Sequence, residues 1–211
     1  MDKRIKNRCM CQWGERMEEK DWALGDWITA AEEYSPVDWE RLPELELYMD
    51  QVITFMNKQL EPFTHDGERL LTPSMINNYV KDGVLPRPVQ KKYGRDHLVM
   101  LLMICLLKSV LSLPEIDATL HGLTEKNNIQ DIYPYFLEKQ NTSLQQVTRR
   151  IQEQPDHSDE SLYRLALELA LEANACHTAA ARILDSLETK ERAKERDKAK
   201  EKSAKKSKKP E

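Results

Sequence analysis

The twelve residues "GVLPRPVQKKYG" (83–94) cannot form a helix, yet they join two stretches with strong helical periodicity. Pro86 and Pro88 carry no backbone N–H and push Leu85 and Arg87 toward extended conformations. Before them, Thr72 has the character of an N-cap, with Pro73 at the first helical position. Met75, Ile76, Tyr79 and Val80 then fall on the inward side of a short helix, which Gly83 is placed to end. After them, Gly94 or Asp96 opens an apolar helix over 96–111 that contains "HLVMLLMICLL". The segment between is expected to be a short extended wing over 84–94, the only stretch expected to pair in extended form.

Helix-period patterns account for most of the remaining chain. Residues 15–34, with Trp22 and Trp27, are expected to form a helix ending before Pro36. In "ELELYMDQVITFMNKQL", Leu45, Tyr48, Val52, Phe55 and Gln59/Leu60 recur at spacings of three and four, an amphipathic pattern that Pro62 stops. Ser112 and Glu115 bracket Pro114 as a capping box for a short helix ending near Gly122. "IQDIYPYFLEKQ" and "SLQQVTRRIQEQ" are expected to be two shorter helices. In the stretch 158–188, Leu162, Leu165, Leu169, Cys176, Ile183 and Leu187 line one face of a long helix. Ala166, Ala173, Ala179 and Ala180 lie beside that face, and Glu172 interrupts the seam. The lysine-rich end is low in complexity and expected to be mostly disordered, with its first part extending the helix.

Charge is unevenly placed. Residues 189–211 hold eleven Lys/Arg against five Asp/Glu, a surplus of +6 that leaves residues 1–188 with −10 of the chain's total of −4. An acidic body does not broadly attract nucleic acid, so any such contact must come from a local patch. Residues 75–95 supply one: Lys81, Arg87, Lys91, Lys92 and Arg95 against Asp82. Asn is the side chain best suited to a bidentate contact with adenine, and Asn77 and Asn78 fall on the outward side of the helix. Lysine and arginine on the wing suit phosphates, which hold register without specifying sequence.

Other chemistries find little support. No apolar run reaches the roughly 18 residues that span a bilayer. The first residues lack the apolar core of a signal peptide, so a cytoplasmic protein is expected. Cys9 and Cys11 are too close for chelation, and Cys105 and Cys176 are expected as reduced thiols buried in helices. Histidines 65, 97, 121, 157 and 177 fall on separate elements, and the six glycines form no phosphate-cradling loop. Neither an enzyme nor a cofactor or metal site is expected.

The run of helix, "YVKDGVLP", wing, tyrosine, long helix and "SLPEI" resembles a MerR-type winged helix-turn-helix. More closely, "LELYMDQVITF", "SMINNYVKDGVLPRPVQKKYGRDHL" and "LLKSVLSLPEI" are similar to the bacterial domain-of-unknown-function family 1836, whose members are presumed transcriptional regulators. The resemblance covers about residues 43–121. It implies that Tyr79 approaches a phosphate from the end of a recognition helix. It also implies that Gly83 and Leu85 turn the chain into the wing and that Tyr93 precedes the following helix. Ser74 and Asn77 stand where MerR proteins usually carry arginines, and the wing is shorter, lacking the usual glycine-tipped hairpin.

The expectation is therefore an all-α chain in four parts. These are an N-terminal helical extension (1–42), a MerR-like DNA-binding domain with a short extended wing (43–122), a C-terminal helical dimerisation or effector region (123–188) and a disordered charged tail (189–211). The expected function is sequence-specific transcriptional regulation as a homodimer on double-stranded DNA. Helix 73–82 would enter the major groove and wing 84–95 would rest on phosphates. The contacts would come from Ser74, Asn77, Asn78, Tyr79, Lys81, Arg87, Lys91, Lys92, Tyr93 and Arg95. The effector, whether small molecule or protein, is left open. The competing expectation is a non-enzymatic helical adaptor that binds protein partners through the same fold.

Overall fold

The computed structural model describes residues 24–64 and 70–206, with side chains through Arg196 except Glu195. It is predominantly helical. The helices are α1 (Gly25–Glu33), α2 (Met49–Gln59), α3 (Pro73–Lys81), α4 (Arg95–Leu107), α5 (Leu113–Thr124), α6 (Ile129–Gln152) and α7 (Asp159–Lys206). Two-residue strands β1 (Leu47–Tyr48) and β2 (Lys92–Tyr93) pair antiparallel, with Leu47 opposite Tyr93 and Tyr48 opposite Lys92. No helix of the described residues is long and apolar enough to cross a membrane.

α4 is the hub of the core. Leu98, Val99 and the run Leu101–Cys105 are buried all round the helix, as expected of a segment apolar on every side. Val52, Met56 and Leu60 from α2 and its end meet it from one direction, and Ile76 and Tyr79 of α3 from another. Ile116 and Leu120 of α5, then Ile132, Tyr133 and Leu137 of α6, complete the same cluster. The core thus runs past residue 122 into the first turns of α6. A second, smaller cluster joins Ile28 of α1 to Ile151 and Leu165. Trp27 packs there and donates its indole N–H to the Pro62 carbonyl at 3.2 Å. Trp22 lies outside the described residues.

Several ends form as local chemistry dictates. Thr72 accepts the Met75 N–H at 3.3 Å, with Pro73 in the first turn of α3. Glu115 accepts from both the backbone N–H (2.8 Å) and hydroxyl (2.6 Å) of Ser112, so its carboxylate reaches back to the N-cap as in the glutamate half of a capping box.

Four expectations are corrected. The amphipathic pattern from Leu45 begins too early: Leu45 is exposed and Leu47–Tyr48 is strand, so the helix starts at Met49. The two shorter helices beyond 129 are one, because Leu137, Thr148 and Ile151 all bury along one continuous α6. The charged tail is helical as far as Lys206 and continues α7 without a break. In α7, Leu165 is buried and Leu169 half-buried, but Cys176, Ile183 and Leu187 are exposed. Cys176 borders an open groove between α6 and α7, and Ile183 and Leu187 are 61% and 49% exposed.

Candidate nucleic-acid interface

α3 is amphipathic with a clean division of labour. Ile76 is fully buried and Tyr79 is 4% exposed, while Ser74, Asn77, Asn78 and Lys81 are exposed. Those four occupy positions i, i+3, i+4 and i+7, one continuous stripe on a helix surface. Lys81 in the last turn also suits the negative end of the helix dipole.

The turn out of α3 requires a left-handed residue. Gly83 supplies it with φ of 83°, and the Leu85 N–H returns to the Tyr79 carbonyl at 3.0 Å. Val84 and Leu85 then bury and anchor the base of the wing, leaving Arg87 exposed.

The wing tip is a tight two-residue turn. The Lys92 N–H bonds the Val89 carbonyl at 2.9 Å, and Gln90 and Lys91 take φ of 51° and 64°. Two successive left-handed residues are what a hairpin turn of this length demands, a job ordinarily given to Asn-Gly. Lacking that signature, the turn was not legible in the sequence. It brings exposed Gln90 and 64%-exposed Val89 to the tip beside Lys91, two residues that sequence reasoning missed.

Four of the ten candidate residues have partners or burial within the fold. Tyr79 faces the core, where burial, and secondarily Cys105, pushes its hydroxyl up to about 12. Tyr93 is 3% exposed, with its ring edge-on to His97 at 5.5 Å and its hydroxyl raised by burial. The rings of both tyrosines thus pack into the fold rather than standing out on the polar stripe. Arg95 donates from Nη2 to the Leu42 carbonyl (3.1 Å) and from Nε to the Pro43 carbonyl (3.4 Å), and sits 3.9 Å from Glu44. It ties the segment before β1 to the start of α4, which explains why it is not a free cation. Lys92 is half-buried, with its ammonium 5.6 Å from the centroid of the Tyr48 ring.

The surface that remains is Ser74, Asn77, Asn78 and Lys81 on the helix, with Arg87 and Lys91 on the wing. Among the described residues, no acid pairs with these three cations. No group of three or more metal-ligating side chains occurs among the described residues. Cys105 is buried and burial pushes its thiol up to about 12.

Strand, helix, loop, helix, tight hairpin and buried helix, closed by a two-residue ladder, define a small helical domain with a wing. Residues 37–136 match the model of a family described as "Domain of unknown function (DUF1836)". The match takes in every element from the turn before β1 through the first turns of α6. No curated protein and no solved structure matches the chain.

Proposed function

We propose that the protein is a sequence-specific DNA-binding transcriptional regulator whose domain at 43–122 is a winged helix-turn-helix of the MerR-like type. The observation that carries this reading is the outward stripe of α3: Ser74, Asn77, Asn78 and Lys81, wholly polar, on a helix whose other side is locked into the core. Asn77 and Asn78 are the base readers, since a carboxamide satisfies the donor–acceptor pair of adenine in the major groove. Lys81, Arg87 and Lys91 hold phosphates and set register. A homodimer places two such helices about 34 Å apart, or a multiple of it, on one side of the duplex.

The test is selection of bound fragments from the native genome. The wild type should enrich a defined, two-fold-related motif. Asn77→Ala/Asn78→Ala should keep helical content and thermal transition but lose the motif, while Lys91→Glu should lower retention of all fragments. An unchanged motif with both asparagines gone overturns the reading. The competing reading, a protein-binding adaptor, is favoured by one observation: Tyr163, Leu167 and Leu171 stand exposed along one side of α7. It predicts no retention of DNA even at low salt.

A further inference from the structure

The first turns of α7 carry an apolar stripe on the side away from the core. Tyr163, Leu167 and Leu171 recur every four residues and are 78%, 61% and 61% exposed. Leu165, two residues from Tyr163 and from Leu167, is buried with Ile28 of α1 and Ile151 of α6. Two residues turn a helix by about 200°, so the stripe faces away from α1 and α6.

The surroundings of the stripe are acidic. Across 149–172 six acids exceed three arginines. Each of those arginines is already paired: Arg149 with Glu153, Arg150 with Glu172 and Arg164 with Glu160. Asp156, Asp159 and Glu168 are the surplus. α1 adds Asp26, Glu32 and Glu33, all exposed, and no Lys or Arg. Together the two stretches carry −3 and −3, a net −6.

The chain itself supplies a complement. The described residues begin at Leu24, directly before α1, and residues 1–23 precede them. Within those, "KRIKNRCMCQW" (3–13) holds Lys3, Arg4, Lys6 and Arg8 with no acid, together with the large apolar side chains Ile5, Met10 and Trp13. The other strongly basic stretch, 190–206, offers only alanine as an apolar side chain. Residues 14–23 join the 3–13 segment to Leu24. Fully extended, ten residues span about 33–36 Å. A helix with its side chains is about 10–12 Å across, so that length suffices to pass round α7.

We propose that residues 3–13 cover the Tyr163–Leu167–Leu171 stripe of the same chain. Ile5, Met10 and Trp13 meet the apolar side chains, and the four cations meet the surplus acids of α7 and α1. The inference goes beyond the proposed function and stands whether or not α3 reads DNA. It gives to the chain's own first residues the surface that the adaptor reading gives to another protein.

The test uses the full chain with Cys11→Ser and Cys176→Ser, so that Cys9 and buried Cys105 are the native thiols left. Leu167→Cys is added in one version. Ala173→Cys, exposed on the groove side of the same helix, is added in another. Under mild oxidation at 1 μM protein, Leu167→Cys should link to Cys9 within one chain, read by mapping the disulfide in material that sediments as a monomer. Its rate should exceed that of Ala173→Cys at least several-fold. Lys3→Glu/Arg4→Glu/Lys6→Glu/Arg8→Glu should lower that rate several-fold, and so should Ile5→Ser/Trp13→Ser. Equal rates at the two positions, a link chiefly between two chains, or a Leu167→Cys rate untouched by the charge reversal each overturns the proposal.

Discussion

The burial of Tyr93 and the tethering of Arg95 make salt dependence a quantitative test of the proposed DNA interface. Five cations lie between residues 75 and 95, but only Lys81, Arg87 and Lys91 are both exposed and without a described partner. Each neutralised phosphate lowers the slope of log K against log salt by about 0.9 for duplex DNA, so three per protomer predict roughly −5 for a dimer. Between 50 and 200 mM salt that is a loss of about three decades in affinity. The basic end of α7 adds an unknown constant to the absolute slope, so the decisive quantity is the difference between variants. Lys91→Ala should make the dimer's slope shallower by about 2. Arg95→Ala should leave it unchanged, because its guanidinium is committed to the Leu42 and Pro43 carbonyls. It should instead destabilise the fold by about 2 kcal/mol, the loss of charged hydrogen bonds to backbone. For a chain of this size that lowers Tm by about 4–8 °C. The assay is fluorescence anisotropy titration at five salt concentrations, with thermal melts alongside. Equal changes of slope in Arg95→Ala and Lys91→Ala would refute the division of this segment into structural and contact cations.

The wing turn and the turn out of α3 give opposite results for glycine. Gly83→Ala should cost about 1–2 kcal/mol from its left-handed φ alone, since an added Cβ there meets nothing within 4 Å. Gln90→Asn/Lys91→Gly should raise the urea midpoint, with a gain of about 1 kcal/mol, because the tip then carries the pair its conformation prefers. The Ser112 hydroxyl and N–H, helped by His177, hold the Glu115 carboxyl below the ordinary carboxylate range. This contribution is complete above the unfolded value of about 4.3 and disappears as pH falls through the lower folded value. Ser112→Ala should therefore flatten the acid limb of stability against pH, measured by denaturant midpoints. With Cys9, Cys11 and Cys176 replaced, Cys105 should resist a thiol reagent at pH 8 until the protein unfolds, given its burial and raised pKa.

What was legible in the sequence was local. Thr72, Gly83 and the Ser112–Glu115 pair act within a few residues of themselves, so their chemistry is complete in a short window. The polar stripe of α3 was legible for the same reason: its inward partners, Ile76 and Tyr79, announce themselves by spacing. Arg95 was misjudged because its acceptors lie more than fifty residues earlier. Tyr79 was read as inward by periodicity, and its ring is indeed buried beside Cys105 of α4. β1 was hidden inside a helical pattern because two residues are too few to show an alternating period. Asn141, Thr142 and Ser143 look like a break between helices, yet the buried Leu137, Thr148 and Ile151 carry α6 straight through them.

Under the proposed DNA-binding function, three phosphate contacts and two carboxamides per protomer would make a weak single module. Linking two modules rigidly turns the second binding event into an intramolecular one, which raises affinity without any new contact. The homodimer of the proposed function would supply that linkage. On this reasoning the wild type binds a two-fold operator far more tightly than an isolated half-site, and Asn77→Ala/Asn78→Ala weakens both. Equal affinity for the two-fold operator and the half-site would refute the linkage.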